Sequence, residues 1–82
     1  MSPDKKLIYM ANQIAKFFAP QEHETAVSGI ANHLAKFWEP GMRKKIVHHL
    51  NEGGEGLDPL VKEAVKRLGA KRVGEAGYSG EA

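Results

Sequence analysis

Four prolines, at positions 3, 20, 40 and 59, constrain this chain more than any other feature. Proline lacks an N–H and its ring clashes with the preceding turn, so a helix accepts it in the first turn and not in the interior. Any helix here must begin or end near one of these residues. Between them, apolar side chains recur at three- and four-residue steps, the period of one helix face. Leu7, Met10, Ala11, Ile14, Phe17 and Phe18 make the first such face, with Lys16 opposite. Val27, Ile30, Ala31, Leu34, Phe37 and Trp38 make the second, and Met42, Ile46, Val47 and Leu50 the third. Leu60, Val61, Ala64, Val65 and Leu68 make the fourth. No stretch alternates β-branched and polar residues as a half-buried strand would. The pattern predicts an all-α fold, a small bundle of about four short helices near residues 3–18, 23–38, 41–51 and 58–68.

Local chemistry sharpens these limits. Ser2 can cap the first helix, with Pro3 at its first position and Asp4 at the positive end of its dipole. Asp58-Pro59 offers the same start to the fourth. Gly29 inside the second helix costs about 1 kcal/mol relative to alanine unless it serves a close crossing. Asn51-Glu52-Gly53-Gly54-Glu55-Gly56 reads as a turn-rich loop, and Gly69 as the end of the fourth helix. Residues 70–82 carry Gly74, Gly77, Ser79 and Gly80 with little apolar content. The expected organisation is a single helical domain over 1–69 and a flexible tail over 70–82.

An internal repeat underlies the first two helices. Met10-Ala11-Asn12-Gln13-Ile14-Ala15-Lys16-Phe17-Phe18-Ala19-Pro20 aligns with Ile30-Ala31-Asn32-His33-Leu34-Ala35-Lys36-Phe37-Trp38-Glu39-Pro40 at an offset of 20 residues. Similar amphipathic faces explain the apolar matches, whereas the paired asparagines and prolines point to duplication or a pseudo-symmetric helix pair. Two copies are too few for a solenoid.

The remaining composition bears on function mainly by exclusion. Eighty-two residues allow one domain. Cysteine is absent, so disulfides, thiolate metal sites and a cysteine nucleophile are ruled out. A net charge of +2 is too small to imply nucleic-acid binding. The longest mostly apolar run, Leu7–Pro20, is interrupted by Asn12, Gln13 and Lys16, and a membrane span needs about 20 apolar residues. The same interruptions argue against a signal peptide, and the expected location is cytoplasmic. His48-His49 point about 100° apart on a helix and cannot readily share a metal ion. Gly53-Gly54-Glu55-Gly56 lacks the lysine and hydroxyl of a phosphate loop and follows no strand. Arg43-Lys44-Lys45 with Lys62, Lys66 and Arg67 would suit a helix-turn-helix, but the intervening loop is long and glycine-rich. A small DNA-binding module is the weakest of the functional alternatives.

Three blocks in order carry a resemblance. They are Met10-Ala11-Asn12-Gln13-Ile14 followed by Phe17-Phe18, then Phe37-Trp38-Glu39-Pro40-Gly41-Met42-Arg43, then Gly53-Gly54-Glu55-Gly56-Leu57-Asp58-Pro59-Leu60-Val61. At this spacing, over roughly residues 3–68, the chain resembles the delta subunit of soluble NAD-dependent, molybdenum-containing formate dehydrogenases. The resemblance implies a non-catalytic accessory subunit with no cofactor of its own. It would bind and stabilise an alpha subunit carrying molybdopterin guanine dinucleotide and iron–sulfur clusters. Beta and gamma subunits would carry FMN, further clusters and the NAD site, and neither nucleic acid nor membrane would be a partner. A transient factor for molybdenum cofactor insertion is the alternative role.

The expected partner-binding residues follow from local stiffness. Pro40 bends the chain just after two aromatics, so the corner presents apolar mass on a rigid turn. Trp38, Pro40, Met42 and Arg43 are the expected anchors, with help from Phe18 and from Leu57 and Leu60 on the adjoining turn. The opposing possibility is that Trp38 and Met42 close the core, with Arg43 at its rim.

Overall fold

A computed structural model describes the backbone of residues 3–78 and the side chains of residues 5–69. Four helices follow one another: α1 (Pro3–Phe18), α2 (His23–Phe37), α3 (Pro40–Asn51) and α4 (Pro59–Tyr78). No strand occurs among the described residues. Pro3, Pro40 and Pro59 each open a helix and Pro20 lies in the first connection, as the proline spacing requires. The Ser2 cap lies outside the described residues, as do positions 79–82 of the expected tail. Asp58 does cap α4: its Oδ1 accepts the Leu60 N–H at 2.8 Å.

The fourth helix does not stop where expected. Its backbone continues past Gly69 to Tyr78. Gly69 is absent from the positive-φ glycines, so it does not take the left-handed conformation with which glycine ends a helix. A Cβ there would lie 3.5 Å from Val47 on α3, an ordinary van der Waals contact, so the position has room for an alanine. Ala70, Lys71 and Arg72, good helix formers, follow in sequence.

The connection from α3 to α4 shows what the glycines are for. Gly54 N–H donates to His49 O at 2.9 Å and Gly53 N–H to Leu50 O at 3.0 Å, the paired closure of a Schellman helix end. Gly54 is buried at φ 65°, where a side chain would be strained and a Cβ would meet Leu50 at 3.1 Å.

α4 touches all three other helices, and its broadest interface is with α2. Ile30, Leu34, Val27, Ile46, Val61 and Val65 are the largest fully buried side chains. Each contributes about 1.5–3 kcal/mol of burial. Ala11, Ala15 and Ala64 let the helices approach closely between them. The expected faces hold except at their aromatic ends. Phe17 and Phe37, expected inward, are 73% and 71% exposed, whereas their neighbours Phe18 and Trp38 turn to the core. The cause is angular. Leu7, Ala11, Ala15 and Phe18 form the inward line of α1, and Phe17 stands about 100° away from Phe18.

Candidate functional site

At the corner between α2 and α3, Trp38 is only 5% exposed and belongs to the core. Its N–H closes the last turn of α2 on Leu34 O at 3.1 Å. Arg43 reaches back from α3, donating from Nη1 to Trp38 O and, at 3.3 Å, to Ala35 O. A guanidinium placed there satisfies carbonyls left free at the end of α2 and opposes the negative end of its dipole. Met42 is half-buried against the core, while Pro40 and Gly41 face solvent. Phe37 projects outward, its ring 4.8 Å from that of His33.

At the other end of α3 the glycine loop is pinned from two sides. Asn12 of α1 donates from Nδ2 to Gly56 O at 2.9 Å and accepts the Asp58 N–H on Oδ1, also at 2.9 Å. His49 lies 2.7 Å from Glu55 O through Nε2, so that nitrogen carries the proton and donates. Leu57 is buried and Leu60 half-buried beneath this loop. Between α1 and the loop lies an open groove of about 600 Å³, lined by Lys5, Ile8, Tyr9, Asn12, His49, Glu55 and Gly56.

The residues expected to bind a partner therefore do not converge. Trp38, Pro40, Met42 and Arg43 sit at one end of α3, and Leu57 and Leu60 beyond the other, across a helix of 12 residues or about 18 Å. Phe18 is elsewhere again, its ring over Gly29, where a Cβ would meet it at 2.5 Å. The close approach that Gly29 allows is thus to an aromatic ring. Among the described residues, Tyr9, 65% exposed, and the two outward phenylalanines are the large apolar groups left uncovered. The faces expected from the sequence include Phe17 and Phe37 and omit Tyr9. The line through Leu7, Ala11, Ala15 and Phe18 was the signal that separates them.

Charged contacts link α2 to α4. Arg67 makes a bidentate pair with Glu24, at 2.6 and 2.7 Å, and Nη1 lies 3.4 Å from Ser28 Oγ. The hydrogen bonds from Arg67 hold the Glu24 carboxyl below its ordinary value and raise the guanidinium in turn. His23 Nε2 lies 2.8 Å from Glu63 Oε1. Among the described residues, no cluster of three or more His, Cys, Asp or Glu side chains is arranged to hold a metal ion. No helix there is long and apolar enough to cross a membrane.

Residues 6–65 match the family described as NADH-dependant formate dehydrogenase delta subunit FdsD. The chain belongs to this family. No curated protein and no solved structure matches it. The FdsD match runs from the first turns of α1 to Val65 on α4, so it takes in both the corner and the glycine loop. Two of the three blocks that carried the resemblance meet in space: Asn12 from the first holds Gly56 and Asp58 from the third. The middle block folds on itself, Arg43 closing on Trp38. In this delta subunit, much of that pattern is engaged in building the fold.

Proposed function

We propose that this delta subunit is a non-catalytic accessory chain that binds and stabilises the molybdopterin-bearing alpha subunit of an NAD-dependent formate dehydrogenase. The observation that carries this reading is the family match across the four-helix core. Chemistry supports it: the chain has no cysteine to ligate an iron–sulfur cluster. Molybdopterin guanine dinucleotide, iron–sulfur clusters and FMN would belong to the alpha, beta and gamma partners. Of the residues marked by the sequence, Pro40 and the outer edge of Met42 remain available to a partner. Trp38, Arg43 and Leu57 act from beneath as supports.

The test is coexpression of the alpha, beta and gamma subunits with and without this chain. The expected result is a stoichiometric four-subunit enzyme whose alpha subunit melts at a lower temperature when the chain is omitted. The isolated chain should show no formate oxidation. A chain found only on alpha subunits that lack their pterin, and missing from the mature enzyme, would identify a transient assembly factor instead.

A further inference from the structure

We propose that the outward face of α1 docks on the formate dehydrogenase partner, and that the receiving surface is a shallow apolar groove edged by carboxylates. The proposal rests on the accessory-subunit reading above and goes further by naming the face and its complement.

Tyr9 and Phe17 are eight residues apart on α1, about 12 Å along the axis and roughly 80° around it. Both therefore project from the same outer half of the helix, and both are largely exposed. Gln13 lies between them, and Lys5, Lys6 and Lys16 are exposed around them. From Lys5 to Phe18 the helix carries no Asp or Glu. Glu55 stands across the groove beside Tyr9. Two aromatic anchors ringed by cations on one side of a helix are complementary to an apolar groove with an acidic rim.

The anchors are also held in place before binding. Asn12 ties the middle of α1 to the glycine loop, and Phe18 seats its end on Gly29. A face fixed in this way loses little entropy when it docks. Among the described residues, α2 exposes one large aromatic, Phe37, beside Lys36 but also beside Glu39. The exposed side of α3 has Lys44, Lys45 and His48 but no large apolar group. A lipid surface is disfavoured because the broad apolar face of α1, through Leu7, Ala11 and Ala15, is already in the core.

The experiment uses the full chain and the formate dehydrogenase assembly purified without it. Affinity is measured for wild type, Tyr9→Ala, Phe17→Ala, the Lys6→Glu/Lys16→Glu double variant, and Phe37→Ala as the equivalent loss from α2. Tyr9→Ala and Phe17→Ala should each weaken binding about thirty-fold, the effect of losing an aromatic hot spot. The charge reversal should slow association about tenfold and flatten its dependence on salt. Melting of the free chain should not change for Tyr9→Ala and should fall only slightly for Phe17→Ala, whose ring meets that of Phe18 edge-on at 5.0 Å. If wild type itself does not bind, the accessory role fails and this proposal with it. If wild type binds and the α1 variants bind equally well, or Phe37→Ala loses as much as they do, the face is misassigned. Vesicles of phosphatidylcholine and phosphatidylserine run in parallel; capture on them that Tyr9→Ala abolishes would reassign the face to lipid and overturn the proposal.

Discussion

The two copies of the internal repeat, Met10–Pro20 and Ile30–Pro40, begin from nearly the same residues and end in different surroundings. Ala15 is buried and its counterpart Ala35 is exposed; Ala11 is buried and Ala31 only half so. Asn12 joins α1 to the glycine loop, whereas Asn32 faces solvent. One step before the repeat, Tyr9 projects outward from α1, and at the same offset α2 has Gly29, occupied by the Phe18 ring. The C-terminal ends agree: Lys16 and Lys36 are both exposed, and in each terminal aromatic pair the first ring is outside and the second is packed inward. The repeat thus specifies a helix, its phase at the C-terminal end and its stop. Which flanks are buried depends on the neighbours, and only α2 has the broad α4 interface.

Truncating the inward rings tests this most strongly. Trp38→Ala should cost about 3–5 kcal/mol, close to the whole stability of a domain this small, and leave the chain largely unfolded by circular dichroism. Phe18→Ala, from a half-buried ring, should cost roughly half as much. Equal losses would mean that the copies share more environment than the burial indicates. The asparagines give the next contrast. Asn12→Ala removes two hydrogen bonds that hold the loop and should cost about 1–3 kcal/mol in urea unfolding. Asn32→Ala should stay within about 0.5 kcal/mol of wild type.

Gly29→Ala sets a gain in helix propensity of about 1 kcal/mol against eviction of the Phe18 ring. Overpacking of this kind costs about 1–3 kcal/mol, so a net loss of about 1 kcal/mol is expected. A higher melting temperature would show that Phe18 can move aside freely. The smallest effect belongs to the exposed pair that links α2 to α4. Arg67 lowers the Glu24 carboxyl below its ordinary value of 4.5. Its contribution to stability is therefore complete above that value and disappears as the pH falls through the lowered one. Glu24→Gln should flatten this acid limb by lowering stability slightly at neutral pH and leaving it unchanged in acid. An unaltered acid limb would show that the pair is solvated away.

The helices were legible because their starts and stops are local events. Proline at a first turn and Asp58 as a cap act within a few residues, and no distant contact is needed to read them. Gly69 misled because glycine ends a helix only where the backbone turns left-handed, and its residue type alone does not show that turn. Much of the candidate site was unreadable for a similar reason. The partners of Asn12 lie 44 and 46 residues away, and Arg43 serves as a helix cap only because the corner folds it back on α2. The outward turn of Phe17 was a matter of phase, available from the spacing of Leu7, Ala11 and Ala15 but masked by the aromatic beside it.

That α4 contacts every other helix has a consequence for the chain as it leaves the ribosome. The helix that closes the core is made after the other three. Until Val61, Ala64, Val65 and Leu68 emerge, Ile30, Leu34 and Ile46 have no cover from that side. The loop that Asn12 will hold is itself synthesised only shortly before. Three amphipathic helices thus wait with their sticky sides open, a state in which nascent chains recruit chaperones or aggregate. Slow codons anywhere between the end of α3 and Leu68 would lengthen that interval, and slow codons ahead of α1 would leave it unchanged.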